Sequence, residues 1–150
     1  MSAGRAVTSR NANQGVMILA SRLVTNLYDY ELRDAGLNVR QYTILETLAT
    51  TGPVTRSDLA RILLLDGATL RWKLRTLEKR RWIRTRRHDA THLRRVELTA
   101  AGRATLTRAK PAWDRAQQRV AARIGRKRLD ALMVELAAIS RLMFRIGSIT

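Results

Sequence analysis

The chain has 150 residues, no cysteine and a formal net charge of +17 at pH 7, because 29 lysines and arginines face only 12 acidic residues. This length fits one domain, or one small domain with an oligomerising arm. The absence of cysteine excludes disulfides, thiolate metal sites and thiol redox switches. Because so much positive charge destabilises a compact chain unless a polyanion offsets it, nucleic acid is the leading partner and an anionic membrane the second.

Membrane and targeting signals are missing from the sequence. No apolar run approaches the ~18 residues that a membrane-spanning helix needs. The N-terminal segment MSAGRAVTSRNANQG also lacks the apolar centre of a signal peptide. We therefore expect a cytoplasmic protein that shares its compartment with DNA and has no membrane partner.

Two amphipathic helices are predicted in the first third of the chain. Apolar residues recur three and four apart over residues 14–33, and Gly36 suits a helix stop. A second helical pattern covers residues 39–50 and ends at the Thr-Gly-Pro break of residues 51–53. The inward positions of this second helix are Tyr42, Ile44, Leu45 and Leu48.

A helix-turn-helix pattern follows. Thr55 is placed to cap a short helix over residues 56–63, and Asp66 to cap a longer one over residues 67–80. The leucines of residues 63–65 are expected to form a buried connection between them. The inward positions of the longer helix are Leu70, Leu74 and Leu77.

After residue 81 the apolar period changes from 3.6 to 2, which indicates strands. Residues 82–86 and 93–98 are the predicted strands, residues 88–91 form the turn, and Trp82 belongs to the core. Thr99 then caps a further helix, in which Pro111 predicts a kink or a local break. Residues 125–128 separate it from a last amphipathic helix.

The long first and last helices carry more apolar surface than the small central unit covers. Such a face must be buried against another element, and a second copy of the chain is the simplest candidate. A two-fold homodimer is therefore expected, because it is the commonest closed symmetry.

The segment from Arg71 to Arg95 contains eleven lysines and arginines but only two acids, Glu78 and Asp89. A capped helix pair followed by a basic strand–turn–strand is typical of a winged helix-turn-helix, which places one helix in a DNA groove. The predicted fold is mainly α with a small two- to three-stranded β wing. We divide it into an N-terminal arm and dimerisation helix (residues 1–34), a DNA-binding lobe (35–99) and C-terminal dimerisation helices (100–150).

This order of elements resembles the multiple antibiotic resistance regulator (MarR) family of bacterial winged-helix repressors, over about residues 15–147. The segments that carry the resemblance are LNVRQYTILETL, TRSDLARILLLDGATLRWKLRTLEKRRWIRTRR and VELTAAG. The resemblance implies an obligate homodimer, a palindromic double-stranded DNA operator and release by a small phenolic or otherwise anionic effector. It also implies that residues 67–80 are the recognition helix.

The sequence departs from the family pattern in three places. Arg81 stands where the family has glycine, and a left-handed arginine costs about 1 kcal/mol, so a differently built helix end is expected. Counting back from the second strand places His92 where the family has a wing arginine, which leaves Arg94 and Arg87 as the alternative minor-groove residues. The first helix has no cysteine, unlike the branch of the family that senses peroxides with a thiol.

The candidate site residues follow from these assignments. Arg71 and Arg75 either contact DNA or belong to an ordinary solvated helix face. Trp72 either contacts DNA or packs on the chain's own wing. A ligand cavity between the first helices and the DNA-binding lobe is the second candidate site, with ordinary core aromatics as its alternative. The candidate residues of this cavity are Arg22, Tyr28, Tyr42 and Arg40, and Tyr30 is a further one. The DNA-binding candidates are Arg56, Ser57, Thr69, Arg71, Trp72, Arg75, Arg87, His92 and Arg94.

Other functions are less well supported by the sequence. His88, Asp89 and His92 invite a metal site, but they lie in a turn without a third strong ligand nearby, so no metal or cofactor is expected. No nucleophile–base set, carboxylate pair or glycine-rich phosphate loop indicates an enzyme. The main alternative to a sequence-specific regulator is an architectural DNA binder without sequence preference.

Overall fold

The computed structural model describes residues 13–87 and 93–147 of the chain. This part forms six α-helices, a single 3₁₀ turn (Arg33–Ala35) and three short strands. The mainly helical fold with a small β wing is the one that the sequence predicts. In chain order the elements are α1 (Asn13–Leu32), α2 (Val39–Thr51), β1 (Val54–Thr55), α3 (Arg56–Ile62), α4 (Gly67–Lys79), β2 (Ile83–Arg87), β3 (Arg94–Leu98), α5 (Ala100–Ile124) and α6 (Arg126–Gly147).

The three strands form one antiparallel sheet in the order β1-β3-β2. Val54 pairs with Val96, and β2 runs against β3 from the Ile83–Leu98 pair to the Arg87–Arg94 pair. The two long strands lie within a residue of their predicted bounds. The third strand, β1, has only two residues, so it is too short to show a period-2 pattern.

Side-chain caps define the starts of α2, α3, α4 and α5. Thr55, Asp66 and Thr99 each accept a hydrogen bond from the backbone N–H three residues later, as expected from the sequence. Asn38 adds a reciprocal cap at α2, because its side chain accepts from the Gln41 N–H while the Gln41 side chain accepts from the Asn38 N–H. The helix boundaries therefore arise locally.

One hydrophobic core joins the helix-turn-helix to the end of α1 and to α5. The predicted inward residues of α2 and α4 are buried, and Ile83 and Val96 of the sheet and Ala109 and Ala112 of α5 join them. A smaller cluster forms where Tyr28 of α1 packs near Ala116 and Val120 of α5. The helix-turn-helix and the sheet are thus held on α5.

Pro111 does not break α5, which continues through it, because Ala109 and Ala112 on either side are buried in the core and hold the helix where one backbone hydrogen bond is missing. Two expectations about connections were wrong. Gly125 alone, with φ of 87°, separates α5 from α6. Leu64, in the middle of the supposedly buried connection, keeps 37% of its surface exposed.

Arg81 takes the left-handed conformation, with φ of 57°, so the expectation of a differently built helix end was also wrong. The Arg81 N–H donates to the Glu78 carbonyl, and the Trp82 N–H donates to the Leu77 carbonyl. This is a Schellman motif with arginine at the position that usually holds glycine. The two hydrogen bonds and the packing of Trp82 on the core offset the backbone strain.

Arg81→Gly is therefore expected to raise the free energy of unfolding by about 1 kcal/mol, because glycine adopts positive φ without strain. Chemical denaturation followed by circular dichroism measures the change. Arg103→Gly, at an exposed position inside α5, is the matched control and should lower the free energy of unfolding by about 1 kcal/mol. A loss of stability in both variants would contradict the strain at Arg81.

Candidate nucleic-acid interface

The helix α4 has one buried and one exposed face. Leu70, Leu74 and Leu77 are almost fully buried, which fixes the rotation of the helix on the core. The opposite face is exposed and cationic. Its exposed side chains, spaced three and four apart, are those of Ala68, Arg71, Trp72, Arg75 and Lys79.

Arg71 and Arg75 lie one turn apart on this exposed face. Within the described residues neither guanidinium forms an ion pair with a carboxylate. Their donors therefore remain available for a planar acceptor pair such as the O6 and N7 atoms of guanine. A solvated helix face has the same exposure, so the helix alone does not distinguish the two interpretations.

Trp72 is the aromatic residue of this face, and 67% of its surface is exposed. The Nζ atom of Lys73 lies 5.8 Å from the centroid of its ring, and Trp72 lines a groove with Arg40 and Gln41 of α2. Such an exposed indole is available to a thymine methyl group or a sugar.

Thr69 serves the cap of α4. Its N–H donates to one carboxylate oxygen of Asp66 at 2.8 Å, and its hydroxyl donates to the other at 2.5 Å. These hydrogen bonds hold the pKa of Asp66 below its ordinary value. The Thr69 hydroxyl oxygen can still accept a hydrogen bond, so the predicted DNA contact is compatible with the cap.

Arg56 and Ser57 open α3, and both are exposed. Arg56 is not free, because its Nη2 atom lies 3.7 Å from a carboxylate oxygen of Glu78 and 3.5 Å from the Thr85 hydroxyl. The Thr85 hydroxyl donates to the same Glu78 carboxylate at 2.8 Å. One acid of α4 therefore links this helix to α3 and β2.

The wing presents its arginines on two faces. Arg87 and Arg94 are both exposed and form the last described strand pair before the tip. On the other face Glu97 accepts a hydrogen bond from Arg84 and lies 3.9 Å from Arg86. His92, and with it the His88–Asp89 turn considered for metal binding, lies outside the described residues.

The residues predicted to bind a ligand do not lie together in the structure. Tyr42 stacks on Trp113 with centroids 4.3 Å apart, and Tyr28 lies 4.7 Å from the same ring, so both tyrosines belong to the core. Burial raises the pKa of Tyr28, and burial followed by the charge of Glu46 raises the pKa of Tyr42 to about 12. Arg22 is exposed on α1.

Arg40 and Tyr30 lie on the surface of the described structure. Arg40 is exposed at the start of α2 beside α4, and it lines the grooves between those two helices. Tyr30 is 59% exposed and lies under the guanidinium of Arg33. Among the described residues, no three histidines or acids gather as a metal site would require.

Comparison with known proteins identifies the fold. A model of the MarR family matches residues 35–95, the segment that contains the helix-turn-helix and most of the wing. The transcriptional regulator MosR of M. tuberculosis, solved in complex with DNA, is 30% identical over 85% of this chain and 96% of its own, with a TM-score of 0.71. The chain belongs to the MarR family. It is therefore a DNA-binding transcription regulator, and members of this family are not enzymes.

Two further structures resemble this MarR-family chain. A probable transcriptional regulator from Pseudomonas aeruginosa is 25% identical, with coverage of 85% of this chain and 96% of that one and a TM-score of 0.77. The transcriptional repressor CouR, bound to p-coumaroyl-CoA, is 25% identical, with coverage of 94% and 98% and a TM-score of 0.76. No curated protein sequence matches the chain. Within the described residues, no helix is both long and apolar enough to span a membrane.

The sequence reading of this MarR-family member missed two residues that organise the site. Glu78 is one of only two acids between Arg71 and Arg95, and that isolation was a signal that it neutralises a particular cation. Trp113 is the other, because no local pattern in the sequence indicates that both tyrosines pack on it. Its ring explains why Tyr28 and Tyr42 are buried.

Proposed function

We propose that the chain is a homodimeric repressor that occupies a palindromic operator and is released by a small anionic or aromatic ligand. The single observation that carries the proposal is the exposed cationic face of α4, fixed by three buried leucines in a MarR fold. Repression follows if the dimer covers a promoter and excludes the polymerase.

Unpartnered apolar surfaces on the first and last helices support the dimer. Leu23 on α1 and Leu142 and Met143 on α6 each keep 60% of their surface exposed. Exposed contiguous apolar faces of this kind mark protein interfaces. Further large apolar side chains exposed on these two helices are Val16, Met17, Ile18, Leu19, Val24, Leu132, Met133, Val134, Leu136 and Ile139.

A two-fold dimer sets the geometry of the operator. Two recognition helices would enter major grooves one DNA turn apart, about 34 Å between the half-site centres. Contacts to phosphates supply affinity and a steep salt dependence, whereas Arg71, Arg75 and Trp72 supply sequence choice. At the wing, Arg87 and Arg94 are proposed to enter the minor groove, with His92 as the alternative. Arg56, Ser57 and Thr69 complete the proposed contacts at the helix starts.

The effector part of the proposal is supported by CouR, which was solved with p-coumaroyl-CoA. Of the four predicted ligand residues, Arg40, which lines the grooves between α2 and α4, remains the proposed ligand contact. An effector weakens operator binding only if it prefers a dimer with a different distance between its recognition helices, or if it competes with DNA directly.

Operator specificity is tested by selecting a preferred duplex from a random pool and comparing it with a scrambled duplex of equal composition. Fluorescence anisotropy at several salt concentrations should give an affinity ratio of at least about 1,000, with both affinities falling as salt rises. Equal affinity for the two duplexes would instead favour the architectural DNA binder.

The dimer is tested with Leu142→Glu, which places a charge in the proposed apolar interface. Because an unpaired buried charge is strongly unfavourable, we expect the dissociation constant of the dimer to rise at least about tenfold. Sedimentation or light scattering gives the mass. Thr107→Glu adds the same charge at an exposed position of α5 and should leave the dimer intact. A wild-type protein that sediments as a monomer would overturn the proposal.

A further inference from the structure

Lysine is scarce in this chain, although basic residues are abundant. Only four of the 29 basic residues are lysines, namely Lys73, Lys79, Lys110 and Lys127. A lysine amine that has lost its proton is a nucleophile, whereas the guanidinium of arginine keeps its proton in proteins. Apart from the N-terminal α-amino group, these four side chains are therefore the aliphatic amines of the chain, and their surroundings decide which of them reacts first.

Three of the four lysines lie in surroundings that favour the protonated amine. Lys79, Lys110 and Lys127 are exposed to water, and Lys110 also forms an ion pair with Asp114. Because both water and a carboxylate stabilise the ammonium form, these three amines are almost entirely protonated near pH 7. They are internal references for the reactivity of the fourth lysine.

Lys73 is half-buried on α4, where it lines two adjoining grooves against α2. Ile44, Leu63 and Leu65 form an apolar wall of one groove. Arg40 lines both grooves, and it is the only other charged group among the described residues that line them. Within the described residues neither cation forms an ion pair with a carboxylate. Lys73 therefore has an apolar wall and a second cation where the other lysines have water or an acid.

These surroundings make the Lys73 amine the most nucleophilic of the four. Burial, and then the charge of Arg40, lowers the pKa of Lys73. The same arginine is exposed, so its guanidinium is available to the oxygens of a phosphate group, which it binds through two parallel hydrogen bonds. The ring of Trp72, whose centroid lies 5.8 Å from the Lys73 Nζ atom, offers an apolar surface to a group attached to that nitrogen.

We propose that Lys73 is a site of acylation by small acyl phosphates, with Arg40 holding the phosphate group of the donor beside the amine. The unprotonated Nζ atom attacks the carbonyl carbon of the donor, and a C–N bond forms. The C–O bond to the phosphate breaks, and its electron pair leaves with the phosphate, whose charge Arg40 balances. The surplus proton on the nitrogen goes to water. The product is an uncharged amide, and no oxidant or reductant takes part.

Acylation of Lys73 changes the charge of α4 directly. Lys73 stands between Arg71 and Arg75 in the sequence of this helix, and an acylated lysine carries no charge with which to attract a DNA phosphate. The modified protein therefore binds DNA less tightly and with a weaker dependence on salt. This consequence rests on the proposed operator binding through α4, whereas the modification itself is a property of the free protein.

The modification is tested on the full-length protein without DNA. The protein is incubated with acetyl phosphate, and mass spectrometry of its peptides follows each lysine over time, separately from the α-amino group. Lys73 should be acetylated about tenfold faster than Lys79, which lies exposed on the same helix. The rate at Lys73 should also level off at a lower pH than the rate at Lys79, because a lowered pKa releases the proton of the amine at a lower pH.

Variants of Arg40 test its role, and circular dichroism shows that they are folded. Arg40→Gln should slow acetylation of Lys73 about tenfold, whereas Arg40→Lys keeps the charge and should preserve most of the rate. Arg103→Gln removes the same charge from an exposed position of α5 and should leave every rate unchanged. The proposal is overturned if Lys73 reacts no faster than Lys79, or if Arg40→Gln reacts like wild type. It is also overturned if Arg40→Gln slows the reaction equally with N-hydroxysuccinimide acetate, a donor without phosphate.

The second arm measures operator affinity by anisotropy after treatment with acetyl phosphate. A loss of about tenfold in wild type, with a salt slope shallower by about 1, supports the consequence for DNA if Lys73→Arg keeps its affinity. Acetylated Lys73 with unchanged operator affinity keeps the site and overturns that consequence. The proposed repressor function is judged separately, by the preference of the untreated protein for the selected duplex, so its failure leaves the mapping of Lys73 intact.

Discussion

Arg71→Ala should weaken operator binding by about 1–3 kcal/mol and relax the preference for one base pair in each half-site. The side chain is exposed on α4 and has no carboxylate partner among the described residues, so its donors are available to a guanine. Arg75→Ala, one turn further along the same face, should have an effect of similar size. Anisotropy with the selected operator and its single-base variants measures both quantities.

Lys79→Ala is the matched control for these arginines. It removes one charge from the same helix, but from its last turn, where a phosphate is the expected partner. All duplexes should then lose affinity alike, and the slope of log affinity against log salt should become shallower by about 1. If Arg71→Ala and Arg75→Ala bind the operator as tightly as the wild-type protein does, α4 is not the recognition helix.

Gly102→Ala should destabilise the fold by about 3 kcal/mol or more, which is at the upper end of what overpacking costs. A Cβ atom at this position would lie 2.0 Å from the Trp82 carbonyl oxygen and 2.8 Å from Cδ1 of Leu98. That carbonyl cannot move freely, because the Trp82 N–H is bound to Leu77 and the carbonyl itself accepts from Thr99. The first turn of α5 must therefore separate from the wing.

Chemical denaturation measures this loss, and Gly67→Ala is its control. Nothing lies within 4 Å of a Cβ atom at Gly67, so this variant should keep its stability or gain slightly. A Gly102→Ala protein as stable as wild type would show that α5 and the wing are not in the close contact described. DNA binding by Gly102→Ala should fall only in proportion to the fraction of the protein that is unfolded.

Much of the fold could be predicted because its signals are local. A cap at Thr55, Asp66 or Thr99 involves residues three apart, and the inward faces of α2 and α4 follow a period of 3.6. The change to period 2 located both long strands within a residue. The cationic surface of α4 could be predicted for the same reason, since the residues between its buried leucines must face outward.

The site was less predictable where residues distant in the sequence meet. The contact of Arg56 with Glu78 and Thr85 joins three elements, and no spacing along the chain indicates it. Tyr28 and Tyr42 were candidates for a cavity because an aromatic side chain has the same periodicity in a core as in a pocket. Only Trp113, which follows Tyr42 by 71 residues and Tyr28 by 85, makes them core residues.

The sequence by itself determined where the helices and strands begin, which faces are apolar and that the exposed face of α4 is cationic. These properties depend on residues within one or two turns of each other. Tertiary structure alone decided that Arg81 accepts a left-handed conformation, that α5 continues through Pro111, and that Tyr28 and Tyr42 pack on Trp113. Each of these outcomes is a balance between a local preference and packing against distant residues, and packing supplies the larger free energy.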